Sequence, residues 1–203
     1  KSNSKYIARI DADDLFKPNK LSLQYKYMEE HPDIDACGTG TIKINALGHK
    51  VGIRIPPVCH DDIISTTLYR SPMIHMSILI RRDCILKLNG YNEDYPICAD
   101  YDLWSRMIQK NYKLSNITNK LTCLRLLENS AGNKNYLNNA AGEVIDIIYN
   151  YWTQFVKIPI TKNQCKSIVL IRRPDAGLSI LDICNSYKLI ITARKKINVK
   201  WHY

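Results

Sequence analysis

The chain has 203 residues, 45% of them apolar and 24% charged, and a formal net charge of +10. Those values are ordinary for a globular protein with one substantial core, which excludes a disordered or fibrous chain. No run approaches the roughly 18 apolar residues of a membrane-spanning helix, so these residues hold no such span. The charge is uneven: 19 basic and 17 acidic residues up to Asn150, against 10 and 2 from Tyr151 onward. A basic tail suits a solvated face, an anionic membrane surface or a nucleic acid, and the imbalance alone does not choose among them. Cysteines 37, 59, 84, 98, 123, 165 and 184 never fall in a CxxC spacing. Free thiols in a reducing compartment are expected rather than a disulfide framework or a zinc site.

In chain order, Tyr6–Ile10 reads as a strand and Lys17-Pro18 opens a helix to about Glu30, with Leu21, Tyr25 and Met28 at helical spacing. His31-Pro32-Asp33 ends that helix. Residues 34–38 and 41–44 read as one or two strands, 45–49 as a turn and 51–55 as a further strand. Asp61 to about Tyr69 is a short helix, Ser77–Arg81 a strand and Arg82–Leu88 a short helix ended by Gly90 as a left-handed cap. Tyr91–Cys98 is polar and irregular, a loop over a site. Asp100–Gln109 is a helix with Leu103, Trp104, Met107 and Ile108 on its apolar face. Leu114–Ile117 and Leu121–Arg125 are strands, and the segments around Ala140–Phe155 and Ile180–Tyr187 are mainly helical. A soft domain boundary falls near 135, giving residues 1–134 as one domain and 135–203 as a helical basic extension.

The densest chemistry lies at Asp11-Ala12-Asp13-Asp14, three carboxylates in four residues directly after the first strand. Charges packed so closely repel, and a fold holds them with a cation or with many hydrogen bonds. Open α/β sheets bind their ligands at the carboxyl ends of strands, so the placement outlines a metal and phosphate site. A solvated capping cluster is the alternative.

Five blocks in order resemble family 2 glycosyltransferases of the GT-A fold: Tyr6-Ile-Ala-Arg-Ile-Asp-Ala-Asp-Asp14, His31-Pro-Asp-Ile-Asp35, His75-Met-Ser-Ile-Leu-Ile-Arg-Arg82, Gly90-Tyr-Asn-Glu93 and Ala99-Asp-Tyr-Asp-Leu-Trp-Ser-Arg106. The likeness runs from Lys5 to about Lys134. It implies a GT-A-type three-layer α/β/α sandwich, truncated at its N-terminus, with a mainly helical C-terminal extension. It further implies an enzyme that moves a sugar from a nucleotide-sugar donor, UDP-linked above all, to a glycan, lipid or protein hydroxyl, with inversion and with Mn2+ or Mg2+. On the same resemblance Asp13 is a metal ligand, Asp11 holds ribose and the metal shell, Arg9 belongs to the donor site and Asp100 is the catalytic base. His75, Trp104 and Arg125 are placed as acceptor or diphosphate contacts, although a tryptophan at the spacing of Trp104 is more often core than a sugar-stacking platform. Asp14 is expected to cap the turn or the next helix, and Asp102 to be structural.

Departures from the family pattern are Ala99, where a glutamate is usual, Met76 within His75-Met76-Ser77, and Leu127 in place of a histidine. They keep a second reading open, a catalytically inactive glycosyltransferase-like binding module or fragment. A two-metal nuclease built on Asp11 and Asp13 is a third reading that nothing else in the chain supports, so no nucleic-acid partner is expected. A cytoplasmic location with peripheral membrane contact fits the basic tail.

Overall fold

The computed structural model describes residues 3–126, 134–171 and 177–198, with backbone only over 134–139. One mixed sheet carries strands β1 (Tyr6–Ala8), β2 (Leu15–Phe16), β3 (Ala36–Ile44), β4 (Lys50–Arg54), β5 (Leu79–Arg81) and β6 (Leu114–Arg125). The order is β1-β5-β3-β6-β2, with β4 paired to β3. Strand β3 organises the sheet. It runs parallel to β6 along its whole length, while its other edge takes β5 antiparallel at Ala36–Cys37 and β4 antiparallel at Thr41–Ile44.

Alternation along β3 and β5 makes two faces. Ala36 and Ile80 point into the main core, whereas Cys37 and Leu79 point the other way, against Met28 of helix α1 (Lys20–Glu30). Helices α2 (His60–Thr67), α3 (Arg82–Lys87) and α4 (Ala99–Gln109) follow. After them come α5 (Lys134–Asn150), a π-helical turn at Tyr151–Val156, α6 (Lys162–Leu170) and α7 (Ile180–Lys196). The main core joins α2 and α4 to these later helices through Ile63, Leu103, Trp104, Met107, Ile148, Trp152, Cys165 and Ala193. The basic extension is therefore packed into the same core as the sheet. No helix among the described residues is long and apolar enough to cross a membrane.

Several elements differ from expectation for physical reasons. Leu21 and Tyr25 face outward, 47% and 53% exposed, while Lys20, Gln24 and Met28 are the buried positions of α1. Gln24 is drawn inward because its amide donates to the carbonyls of Cys37 (2.6 Å) and Ser77 (3.0 Å). Residues 36–44 form one strand, one of the two expected possibilities, while the two strands expected at 114–125 are one. The strand expected from Ser77 starts at Leu79, after a 3-10 turn at His75–Ser77. Gly38 is required by close approach, since a Cβ there would lie 2.0 Å from Asn116 Oδ1. Gly90 does adopt a left-handed φ of +75° where the short helix ends, and all seven cysteines are free thiols.

Candidate active site

The acidic turn follows β1 and is closed by the Asp14 N–H donating to the Asp11 carbonyl at 3.1 Å. At the very next residue the chain re-enters the sheet as β2, pairing Leu15 with Cys123 and Phe16 with Thr122. Asp14 is buried and takes the Arg125 N–H on Oδ1 at 2.9 Å. It joins the turn to β6 rather than capping a helix. Burial pushes its carboxyl up, and the charges of Asp13 and Asp11 push the same way. Arg125 completes the clamp. Its Nε donates to the Asp13 carbonyl (3.0 Å) and one terminal nitrogen to the carbonyls of Asn45 and Ala46 (3.1 and 2.8 Å). A residue expected to contact acceptor or diphosphate is thus bonded to the backbone of two turns.

With the backbone so held, the carboxylates of the turn divide. Asp11 Oδ1 accepts from Arg9 Nε (3.2 Å) and from a terminal nitrogen (3.1 Å). Asp13 is exposed, and its carboxylate accepts no hydrogen bond or ion pair from the described residues. Both are hard oxygen donors of the kind magnesium and manganese favour. Among the described residues no group of three or more His, Cys, Asp or Glu converges as a closed metal cage.

Arg9 also carries the network across the site. Its other terminal nitrogen donates to His75 Nε2 at 3.2 Å, and the Tyr91 hydroxyl lies 2.8 Å from the same nitrogen. Arginine can only donate, so Nε2 is an acceptor and the ring is neutral with its proton on Nδ1. Burial first, and Arg9 second, drive the His75 pKa down to about 4. Behind it stands Trp104, 0% exposed, with its indole edge-on at 6.3 Å between ring centres. Trp104 is a core residue that supports His75 and offers no face to a sugar.

Asp100 opens α4, as expected. It is half-buried and accepts from Ser71 Oγ at 3.4 Å. Desolvation raises its pKa, opposed by the Tyr101 N–H, by Ser71 and by the charge of Arg54 from β4. The charges of both Asp100 and Asp11 reach the Tyr91 hydroxyl, whose own pKa is raised first by burial. The tyrosine is thus in electrostatic reach of both the acidic turn and the start of α4. Asp102 is structural, paired with Arg106 at 2.7 Å, and that guanidinium also donates to the carbonyls of Leu88 and Gly90. Leu127 lies outside the described residues. Sequence reasoning missed Tyr91, Ser71 and Arg54 as site residues; the Gly90-Tyr91-Asn92-Glu93 block was the one available signal, and it marked the loop without a role for its tyrosine.

A three-layer α/β sandwich whose first strand leads into an acidic turn, with a tyrosine in electrostatic reach of both that turn and the aspartate that opens α4, has the GT-A type of fold. Residues 1–87 match the family Glycosyl transferase family 2. The chain is similar to the amylovoran biosynthesis glycosyltransferase AmsE of Erwinia amylovora, 28% identical over 119 residues, 59% of this chain and 44% of that one. It is 32% identical over 123 residues to the O-antigen biosynthesis glycosyltransferase WbnJ of Escherichia coli, covering 59% and 47% of the two chains. The solved structure of S. aureus TarS 1-349 superposes with a TM-score of 0.53 at 15% identity, over 95% of this chain and 57% of that one, a likeness of fold. The chain spans about half the length of the curated relatives it matches.

Proposed function

We propose that the protein transfers a sugar from a UDP-linked donor to a hydroxyl of a glycan, lipid or protein acceptor, with inversion at the anomeric carbon. Asp100 acts as general base. It takes the acceptor proton while the acceptor oxygen bonds the anomeric carbon and the bond to the diphosphate breaks, its electron pair leaving with the nucleotide. Asp11 and Asp13 would hold Mn2+ or Mg2+, which supplies charge neutralisation for the departing diphosphate. Arg9 orients Asp11 through two donated hydrogen bonds, and neutral His75 holds Arg9 and Tyr91 in place.

The observation that carries this reading is the continuous chain Asp11–Arg9–His75–Tyr91, with the charge of Asp100 acting on its far end. It supports a reading in which an anion-handling turn and a desolvated carboxylate act on one tyrosine. The alternative, a non-catalytic binding module, is favoured by Ala99, which removes a neighbouring carboxylate, and by Leu127, which stands where the family has a histidine. Release of UDP from a panel of UDP-sugars by the full-length protein, with and without Mn2+, separates the two. Transfer requires metal and falls at least about a hundredfold in Asp100→Asn with donor binding intact; calorimetric binding of donor with no turnover supports the module. Unchanged turnover in Asp100→Asn would remove the base assignment. A cytoplasmic location with peripheral membrane contact belongs to the same proposal.

A further inference from the structure

Helix α4 begins without an acid of its own ahead of Asp100, since position 99 is alanine. A carboxylate reaches that point from elsewhere. Glu143 of α5 accepts the Cys98 N–H at 2.7 Å and the Ile97 N–H at 3.1 Å on Oε2, with Oε1 at 3.4 Å from the latter. Helix beginnings leave backbone N–H groups unbonded and carry about half a positive charge. Two carboxylates therefore share one positive pole: Asp100 from within the first turn, bonded to the Tyr101 N–H, and Glu143 from outside it.

We propose that Glu143 is a positioning residue for Asp100, fixing the backbone where α4 starts and offsetting the pull of the helix end on the Asp100 anion. This rests on the reading of Asp100 as general base. A bare helix end would favour the ionised carboxylate and weaken it as a proton acceptor; a second anion at the same pole restores its basicity. The same two bonds end the loop that carries Tyr91, so Glu143 ties α5 to the loop over the site. The other groups acting on Asp100 are Arg54 from β4 and Ser71 from the α2–β5 connection, both holding its pKa down, and Tyr91, whose hydroxyl feels its charge. Asp102, on its own helix, is paired with Arg106.

The test is a carboxyl-carbon NMR titration of the 13C-labelled full chain, with Asp100→Asn assigning the resonance. In Glu143→Gln, which keeps an acceptor oxygen but loses the charge, the Asp100 midpoint moves down by roughly half a unit to one unit, and Glu143→Asp moves it back toward wild type. In UDP release assayed with UDP-glucose, UDP-galactose and UDP-N-acetylglucosamine, Glu143→Gln lowers kcat about tenfold and shifts its acid limb the same way, with KM for the donor unchanged. An unmoved midpoint in a folded Glu143→Gln protein overturns the proposal. Persistent turnover in Asp100→Asn would instead overturn the base assignment, while the titration still decides what Glu143 does to Asp100.

Discussion

Asp14 and Arg125 hold each other across the sheet in both directions. The backbone N–H of Arg125 donates to the Asp14 carboxylate, and the Arg125 side chain returns to the carbonyl of Asp13. The position of the acidic turn is thus set by the last residue of β6, not by the short strand that precedes it. Asp14→Asn keeps the acceptor oxygen and removes a carboxyl whose pKa burial has raised, so thermal unfolding at pH 7 is unchanged or shifts upward. Asp14→Ala leaves the Arg125 N–H unpaired and costs about 1–3 kcal/mol in urea unfolding.

Acid sensitivity should trace to His75. Its folded pKa, about 4, lies below the ordinary 6.5, so between those values the unfolded chain binds a proton that the folded protein does not. Stability falls as pH drops through that window and levels off below it, by about 2–3 kcal/mol at most. Urea midpoints at pH 7.5, 5.5 and 4.5 measure the slope, and His75→Gln flattens it. An equally steep slope in the variant would assign the effect to other groups.

Lys20 makes a prediction of the same sign at alkaline pH. Its side chain is fully buried, its ammonium 3.9 Å from the centre of the Phe16 ring, and burial lowers its pKa from 10.5 to about 8. Here too the unfolded chain binds more protons between the two values, so stability rises as pH climbs from about 8 to 10.5. Lys20→Met removes that rise and stabilises the protein at pH 7 by about 1–3 kcal/mol. Lower stability of Lys20→Met at pH 7 would mean that the cation–ring contact outweighs desolvation.

The junction between the sheet domain and the C-terminal helices rests on Trp152. It is 0% exposed, and its indole N–H donates to the Leu68 carbonyl at 2.9 Å, where α2 ends. Trp152→Ala should cost about 3–5 kcal/mol and lower the unfolding midpoint as one cooperative transition. Two separated transitions would show that the helices and the sheet fold as independent units.

The acidic turn, the Gly90 cap and the start of α4 were all legible because each is a local signal: charge density, a left-handed position, an acid-rich first turn. Asp14 was legible only as a member of the trio. Its partner lies on β6, far along the chain, and no spacing rule connects them. Inversion of α1 escaped for a similar reason. Leu21 and Tyr25 carry the apolar pattern, but Gln24 satisfies two backbone carbonyls of the sheet and rotates the helix so that Lys20 and Met28 go inward. The two-residue strand β2 offers too few side chains for any periodicity. Glu143 sits in a segment with no motif, and only the folded packing of α5 brings it to α4.

Strand β3 leaves the ribosome well before β6, yet the long parallel seam between them is what completes the sheet. Until that seam zips to Arg125, the nascent loop of acids has neither of its anchors and behaves as a floppy, self-repelling tether. Assembly of the acidic turn is therefore expected late in folding, and on the proposed function a nucleotide sugar present during refolding should act on that final docking step and leave early collapse untouched.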